Sequence, residues 1–367
     1  MKRILLVSYY YPPYPFGGSL RFKSLFKHLK KKKHDVKLLT CGKNGYDSNE
    51  KIIYINDPFK RDNVKNGRVL LRSLNPFPDT MNAWSLKVTK FIEKNYEKYD
   101  KIIITAPPFS LPMILSFRHN KSYMEKFILD IRDILFDGTL RDYIFLYPKL
   151  FDKIIENKII DKFTHLTTNV NNYSKILNAR YGVSPEVILN SYDDEYEAKK
   201  MKLKHPAYVY TGKIDRIRFN NSLFEGFKEF LKENKGFLYI AGEDKESLLR
   251  KYLSENIEYL GILSRETSED LIYSSDVCLI MHKFDIKDAD SVFSYKVTDY
   301  AKYGKPIVYV GPSTDISEFI KMNNIGICIN TFSAKDISSA LSKALKLRFD
   351  TAGKLFKDTF IGTSLDL

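Results

Sequence analysis

Three features are scarce in this sequence of 367 residues: cysteine, long apolar runs and acidic side chains. Cys41, Cys278 and Cys328 lie far apart, so we expect reduced thiols and neither a disulfide framework nor a cysteine metal site. No apolar run approaches the ~20 residues that a helix needs to cross a bilayer, and residues 1–3 lead into a strand without a signal-peptide pattern. These absences argue against a disulfide-rich secreted domain and predict a cytoplasmic protein.

The shortage of acids gives a formal net charge of +14, and the excess is unevenly placed. Residues 1–50 hold eleven Lys or Arg and three Asp or Glu, a balance of +8. The run from Lys30 to Lys33 is most simply a solvated helix end, where lysine complements the helix dipole. It also suits a surface attracted to anionic lipid head groups, at ~1 kcal/mol per lysine. No zinc-finger, basic-zipper or aromatic RNA-binding signature accompanies the charge, so we expect no nucleic-acid partner.

Strand and helix signals alternate along both halves of the chain. A length of 367 residues suggests two domains, each long enough to bury its own core. We therefore predict an α/β fold of two doubly wound domains, with a boundary near residue 190. The runs typical of strands are 3–10, 36–40, 99–105, 127–133 and 163–169 in the first half, and 207–213, 237–242, 257–263, 276–281 and 307–310 in the second.

The dinucleotide fingerprint is missing from the turn after the first strand. A GxGxxG turn brings backbone close to a pyrophosphate, whereas only the pair Gly17 and Gly18 is present here. An NAD-dependent oxidoreductase is therefore the least favoured enzyme class. Backbone N–H groups of the two glycines, at the start of the next helix, can still approach a phosphate or a sugar. A tight turn that needs glycine for positive φ is the simpler interpretation, and the two are compatible.

Polar residues follow two of the predicted strands. The segment 105–110 comes after one strand, and Asp130, Arg132 and Asp133 lie at the end of the next. Ligands of open α/β sheets bind at the carboxyl ends of the strands. We therefore predict that these groups line one crevice.

The stretch 294–306 combines helical signals with a carboxylate in an apolar setting. Val297 and Tyr300 recur at helical spacing, and Gly304 is a natural end to the helix. Asp299 lies between apolar neighbours, where a carboxylate is costly unless something hydrogen-bonds to it. A ribose diol would meet that need. A solvated aspartate on the helix surface is the plain alternative.

This stretch resembles the donor-site segment of the retaining glycosyltransferases of family 4, which have the two-domain GT-B fold. The resemblance rests on the order Lys296, Asp299-Tyr300 and Gly304-Lys305-Pro306. It implies that Asp299 holds the ribose hydroxyls of a sugar nucleotide, where the family usually has the longer glutamate. The family often has a second glutamate eight residues earlier, and that position is Ser291 here.

Segments of the first half resemble the same family. The motifs Tyr-Pro-Pro and Gly-Gly-Ser at 11–19 are similar to its N-terminal loop. Pro-Pro-Phe-Ser at 107–110 and Asp-x-Arg-Asp at 130–133 resemble a bacterial polysaccharide-assembly branch. Many members have a histidine that touches the donor sugar where this chain has Thr105.

The second half adds cations at matching positions. The resemblance implies that Lys213 and Arg218 bind the donor diphosphate, with Arg216 as the alternative to Arg218. Fixed cations stabilise the charge that a departing diphosphate gains, so the chemistry requires such residues. The same resemblance implies that the nucleotide base lies near Ile262.

As a member of this family, the chain is expected to be a hexosyltransferase-type GT-B enzyme, with two Rossmann-like domains facing across a cleft. The expected domains are an acceptor-side domain at 1–189, a nucleotide-sugar domain at 190–349, and a tail at 350–367 that crosses back to the first. The enzyme would move a sugar from a nucleotide diphosphate sugar to a hydroxyl of a glycan or polyprenyl-linked saccharide, with retention, in surface polysaccharide synthesis.

The resemblance also assigns the site. Asp130, Arg132 and Asp133 would be the catalytic residues, close to the acceptor or the sugar. The donor would be bound by Gly17, Gly18, Lys213, Arg218, Ile262, Lys296 and Asp299. No metal or other cofactor is expected. The protein would be cytoplasmic and peripheral on the inner face of an anionic membrane, which its basic N-terminal domain would contact.

Two other functions stay open. A GT-B-shaped sugar-nucleotide epimerase would act on the donor without an acceptor and release an epimerised sugar nucleotide. A non-catalytic partner subunit would keep the fold and show no turnover, and Thr105 and Ser291 are the departures that favour it.

Overall fold

The computed structural model describes most of the chain, in two compact units. The first unit ends at Leu189 and the second begins at Asn190. The described residues are 1–12, 14, 17–59, 77–137, 145–190, 196–216, 218–284 and 295–348. The expected tail at 350–367 and the loop that carries Ser291 lie outside them.

The first unit is built on an eight-stranded sheet. Its strands are β1 (Arg3–Ser8), β2 (Asp35–Cys41), β3 (Gly45–Asp47), β4 (Ile52–Ile55), β5 (Lys101–Ala106), β6 (Phe127–Ile131), β7 (His165–Thr168) and β8 (Glu186–Val187). Their order across the sheet is β3-β4-β2-β1-β5-β6-β7-β8. Every neighbouring pair is parallel except β3 and β4. Parallel strands need crossover connections, which helices provide.

The helices of the first unit lie in the connections between its strands. They are α1 (Gly17–Lys31), α2 (Asn82–Asn95), α3 (Ser110–Arg118), α4 (Leu146–Lys162) and α5 (Asn171–Tyr181). Phe22 and Leu25 of α1 pack in one core cluster with Leu6 of β1 and Leu38 of β2. These residues occupy alternate positions of the strands and one stripe of the helix, as a helix packed on a sheet requires.

The second unit is built on a six-stranded sheet that is parallel throughout. Its strands are β9 (Ala207–Thr211), β10 (Phe237–Ala241), β11 (Ile257–Tyr259), β12 (Val277–Met281), β13 (Ile307–Val310) and β14 (Gly326–Ile329), in the order β11-β10-β9-β12-β13-β14. Its helices are α6 (Asn221–Leu231), α7 (Arg265–Ser274), α8 (Tyr295–Lys302), α9 (Asp315–Met322) and α10 (Ala334–Ala344). Tyr208, Phe224 and Phe227 belong to its main core cluster.

Polar side chains and glycines fix where these helices begin and end. Asn220 accepts the backbone N–H of Ser222 at 3.0 Å at the start of α6, and Ser264 accepts that of Thr267 at 3.1 Å at the start of α7. Gly304 follows α8 with a φ of +61°, the left-handed conformation that the sequence predicted for the end of this helix.

Strand order reverses once in each sheet, between β1 and β5 in the first and between β9 and β12 in the second. The prediction of two doubly wound α/β domains is confirmed. Ligands of such sheets bind at the carboxyl ends of the strands where the order reverses. Residues at these two carboxyl edges are therefore candidates for the functional site. Within the described residues, no helix is both long and apolar enough to span a membrane.

Candidate functional site

Arg132 is the first residue after β6, at the carboxyl edge of the first sheet. Its Nε donates a hydrogen bond of 2.6 Å to the hydroxyl of Thr105, the last residue but one of β5. Its Nη2 donates one of 2.9 Å to the carbonyl of Pro107. The guanidinium is thus fixed across the end of the neighbouring strand by two neutral acceptors. A cation held in this way can bind an anion or a sugar hydroxyl.

Gly18 lies against the same guanidinium. Gly17 and Gly18 are the first two residues of α1, so they belong to the same carboxyl edge of the sheet. A Cβ on Gly18 would lie 1.7 Å from Nη1 of Arg132, so any larger residue here would displace this guanidinium. Glycine at position 18 therefore allows the backbone of α1 to approach the Arg132 side chain closely.

Asp130, the first of the predicted catalytic residues, is held in a buried ion pair. Its two oxygens accept hydrogen bonds of 2.9 and 2.7 Å from Nε and Nη2 of Arg21, and Oδ1 accepts one of 2.9 Å from the hydroxyl of Thr167. Nη1 of Arg21 donates to the carbonyls of Ile188 and Leu189. Arg21 is fully buried and Asp130 is 4% exposed. The carboxylate therefore joins α1, β6 and the last residues of the first unit.

Asp133 lies two residues beyond β6, and burial raises the pKa of its carboxyl to about 6. The charge of Arg132 and a 3.4 Å hydrogen bond from the hydroxyl of Tyr173 oppose this shift. A carboxyl with such a pKa can gain or lose a proton near neutral pH. Two of the three predicted catalytic residues, Arg132 and Asp133, therefore lie at this edge of the sheet, where a ligand could contact them.

Lys296 lies beside the carboxyl end of β9 in the second sheet. Its Nζ donates a hydrogen bond of 2.7 Å to the hydroxyl of Tyr210 and lies 4.0 Å from the centre of that ring. Gly212 has a φ of +129°, and a Cβ there would lie 2.4 Å from Cε of Lys296. Burial lowers the pKa of Lys296 to about 7; the charge of Arg218 adds to this effect and that of Asp215 opposes it.

Two more cations lie around Asp215, in the segment that follows β9. Arg218 forms an ion pair with Asp215, and its backbone N–H donates to the same carboxylate at 3.0 Å. Nζ of Lys213 is 3.6 Å from that carboxylate, and the Lys213 side chain is 53% exposed. Arg216 pairs with Glu246 at 2.5 Å instead. The ion pairs therefore favour Arg218 over Arg216 as the arginine that lies beside Lys213 at Asp215.

We call Lys213, Asp215, Arg218 and Lys296 the cationic cluster. It contains three basic side chains, one of them Lys296 with its lowered pKa, and one carboxylate, at the edge where the strand order of the second sheet reverses. Positive charge in excess, partly removed from water, is suited to a polyanion such as a diphosphate.

His282 belongs to the same edge, and the sequence analysis missed it. It follows β12 directly and is 8% exposed. Its carbonyl accepts a 2.8 Å hydrogen bond from the side chain of Asn220, and its ring lies 3.4 Å from the hydroxyl of Tyr309. Burial, with the charges of Lys296 and Arg218, lowers its pKa to about 3, so the ring is neutral. The signal in the sequence that could have found His282 is its position one residue after a predicted strand.

Asp299 is buried in α8, and its partner is an arginine. Nη1 and Nη2 of Arg265, the first residue of α7, donate hydrogen bonds of 2.7 and 2.5 Å to its two oxygens. Burial alone would lower the pKa of Arg265, but the charges of Asp299 and Glu269 raise it above its usual range. The carboxylate therefore has the hydrogen bonds that its burial requires, and the alternative of a solvated aspartate is wrong. The assignment of Asp299 to the ribose stays a prediction.

Ile262 follows β11, and its side chain is 73% exposed. The preceding Gly261 has a φ of +72° and accepts the backbone N–H of Gly242 at 2.8 Å.

Both candidate edges belong to Rossmann-like sheets, and solved structures of similar proteins extend along nearly the whole chain. The fold is that of the GT-B glycosyltransferases. WaaG, a glycosyltransferase involved in lipopolysaccharide biosynthesis, matches at a TM-score of 0.60 and 16% identity, over 97% of this chain and 93% of WaaG.

Two further GT-B structures give similar values. A glycosyltransferase from Rickettsia africae has a TM-score of 0.61 and 16% identity, over 98% of this chain and 92% of that one. The catalytic domain of starch synthase IV from Arabidopsis thaliana, bound to ADP and acarbose, has a TM-score of 0.61 and 11% identity, over 98% and 95%. No family model and no curated protein matches the chain.

Proposed function

We propose that this chain is a glycosyltransferase of the retaining, hexosyltransferase type. It moves a sugar from a nucleotide diphosphate sugar to a hydroxyl of a glycan or polyprenyl-linked saccharide, in surface polysaccharide synthesis. The cationic cluster carries this proposal, because it places three basic side chains where a doubly wound sheet binds its ligand, in a fold that glycosyltransferases share.

The cluster acts on the leaving group. When the bond between sugar and diphosphate breaks, negative charge grows on the diphosphate, and cations that are already in place stabilise it. Lys213 and Arg218 hold the diphosphate. Lys296 adds a further positive charge, because a bound polyanion favours the protonated form of this lysine. The leaving phosphate accepts the proton of the acceptor hydroxyl, so the reaction requires no protein nucleophile.

Other residues position the rest of the donor and the acceptor. Asp299 keeps lone pairs beyond those used by Arg265, and we assign it to the ribose together with that arginine. Arg132 and Asp133 act on the acceptor or the sugar, with Gly17 and Gly18 beside them. Neither a metal nor another cofactor is part of this mechanism.

The enzyme acts at the cytoplasmic face of a membrane, where a lipid-linked acceptor lies. Lys30 to Lys33 are exposed at the end of α1 and continue the basic N-terminal surface. These lysines add long-range attraction to an anionic membrane without being its point of contact.

Nucleotide binding tests the proposal. UDP, GDP, ADP and CMP are added to the wild-type chain at fixed salt, and thermal unfolding is measured. One nucleoside diphosphate should stabilise the folded state by ~2.7 kcal/mol at about 100 times its dissociation constant. Lys296→Met should lose most of this gain. The matched control Lys232→Met should keep it, because Lys232 is 69% exposed after α6, at the opposite edge of the sheet.

Turnover then separates the candidate functions. The matching sugar nucleotide should be consumed only when a saccharide acceptor is present. Consumption without acceptor, with release of an epimerised sugar nucleotide, would establish the epimerase. Absence of stabilisation by all four nucleotides would contradict the proposal and favour the non-catalytic partner.

A further inference from the structure

The start of α4 exposes a continuous group of large apolar side chains. Leu146 is 70% exposed, Leu150 51%, Phe151 48% and Ile154 59%. Together with Phe145 and Tyr147 they form what we call the α4 apolar surface. Single exposed apolar residues are ordinary on protein surfaces, whereas a contiguous group marks an interaction site.

The helix buries three isoleucines, yet the large apolar residues of its first half stay exposed. Its buried side carries two carboxylates, Asp152 at 0% exposure and Glu156 at 4%. Glu156 accepts the backbone N–H groups of Leu135 and Phe136 at 2.9 and 2.8 Å and the hydroxyl of Tyr181 at 2.8 Å. These hydrogen bonds fix which side of the helix meets the protein. Rotation of the helix about its axis to bury its apolar residues would break these bonds and leave two backbone N–H groups and a hydroxyl without this acceptor.

Lysines border the α4 apolar surface on both sides. With ~100° between successive residues, Lys153 lies on one flank of the stripe that Leu150 and Ile154 define, and Lys158 lies on the other. Lys149 lies on the same flank as Lys153 and is ion-paired with Asp137 at 2.7 Å. Nζ of Lys158 is 6.0 Å from the ring of Phe117, a neighbouring residue that is 57% exposed. Apolar side chains bordered by lysines are the composition of helices that lie in a membrane interface.

The connectivity places this surface at the edge that carries Arg132. Strands β6 and β7 are parallel, so the helix between them runs in the opposite direction and begins at their carboxyl edge. At 1.5 Å per residue, the stretch 146–154 extends only ~12 Å from that edge. By the same reasoning, Lys30 to Lys33 at the end of α1 lie at the opposite edge.

We propose that the α4 apolar surface is a docking site for an anionic membrane. Its apolar side chains enter the interface, and its lysines contact acidic head groups. Docking in this way holds the carboxyl edge of the first unit, with Arg132 and Asp133, at the level of the lipid head groups. The proposal rests on the proposed function only in its account of why a lipid-linked acceptor would be met there.

Charge favours a membrane over a second copy of the chain as the occupant. A two-fold contact between two α4 apolar surfaces would bring the flanking lysines of both copies close together, and like charges oppose such a contact. An anionic bilayer attracts them instead.

Vesicle binding tests the proposal with the full chain and no donor. The probe is phosphatidylcholine vesicles with and without about one third phosphatidylglycerol, and partition is measured by flotation. The variant Leu150→Gln/Phe151→Gln/Ile154→Gln should lower partition into the anionic vesicles at least about tenfold. The control Met322→Gln, at a position 82% exposed in the second unit, should partition as the wild type does.

The variants also show which outcome would overturn the proposal. Equal partition of the triple variant and the wild type would do so, as would loss of binding on charge removal at Lys30 to Lys33 but not at α4. A wild-type dimer that the triple variant converts to a monomer, with vesicle binding unchanged, would assign the surface to a second copy. Stabilisation by nucleotide should be the same in the triple variant, so failure of docking and failure of the transferase proposal are distinguishable.

Insertion can be followed directly. The chain has a single tryptophan, Trp84, which is 1% exposed and so is shielded from lipid. Fluorescence of a Phe151→Trp variant should be quenched by brominated lipid in anionic vesicles. A Met322→Trp variant should not be quenched, and equal quenching of both would contradict insertion at α4.

Discussion

At the scale of the residue, the charge state of Lys296 depends on its surroundings. Burial lowers its pKa to about 7, so near neutral pH about half of the molecules carry a neutral amine there. A polyanion stabilises the charged form and so raises the pKa of the lysine when it binds. Donor affinity should therefore depend on the proton that Lys296 gains.

The pH dependence of diphosphate affinity tests this. Above pH 7 the unbound protein must take up a proton at Lys296 to bind, so affinity should fall by about tenfold per unit of pH between 7 and 9. Lys296→Arg keeps a charge throughout this range and should flatten the profile. Titration calorimetry measures both. An equally steep fall in the arginine variant would show that another group is responsible.

The same lysine has an opposite effect on stability. Its folded pKa lies below the unfolded value, so the unfolded chain binds the extra proton between about pH 7 and 10.5. Its contribution therefore rises with pH across that interval and destabilises the fold below it. Donor binding therefore favours the charged form of Lys296, whereas folding favours its neutral form.

At the scale of the element, the buried pair of Arg21 and Asp130 connects α1 to β6 and, through two carbonyls, to the end of the first unit. Removing one partner of such a pair leaves an uncompensated buried charge. Arg21→Met should therefore lower the free energy of unfolding of the first unit by about 3–5 kcal/mol. Urea unfolding followed by the fluorescence of Trp84 measures it.

The double variant Arg21→Met/Asp130→Leu provides the control. Because it removes both charges, it should be clearly more stable than Arg21→Met alone. If the double variant were as unstable as the single one, the loss would come from packing and not from the unpaired charge.

Sequence reasoning located the elements better than the partners of their polar residues. The strand that carries Asp130 and the helix that carries Asp299 were both expected. The patterns also showed that a carboxylate at 299 needs hydrogen bonds. Its partner Arg265 lies 34 residues away, and Arg21 lies 109 residues from Asp130. Pairings at such separation follow from the packing of whole elements, which periodicity and spacing do not specify.

Thr105, which stands where many family members have a histidine, also shows that sequence patterns do not specify the partners of polar residues. In the sequence it was noted only as a position without a histidine. In the structure its hydroxyl accepts the hydrogen bond that fixes Arg132, and a neutral His282 appears in the second unit. Neither role could be inferred before the strand ends were brought together.

At the scale of the whole molecule, each unit has its own core. Phe22 belongs to a cluster in the first unit, and Phe224 to a separate one in the second. Phe22→Ala should shift the unfolding that Trp84 reports by about 3–5 kcal/mol. Phe224→Ala should leave that transition in place while destabilising the second unit, which circular dichroism detects. A shift of the Trp84 transition by both variants would show that the units unfold as one.

The three thiols have a practical consequence. Cys41 and Cys278 are buried and Cys328 is half-buried, and burial raises the pKa of both Cys278 and Cys328 to about 12. Only the thiolate reacts readily with maleimides, so these native thiols are slow to react at neutral pH. Cysteines introduced at exposed Lys153 and Lys245 would carry fluorophores on the two units with little background. The distance between the units, with and without nucleotide, then becomes measurable by energy transfer in single molecules.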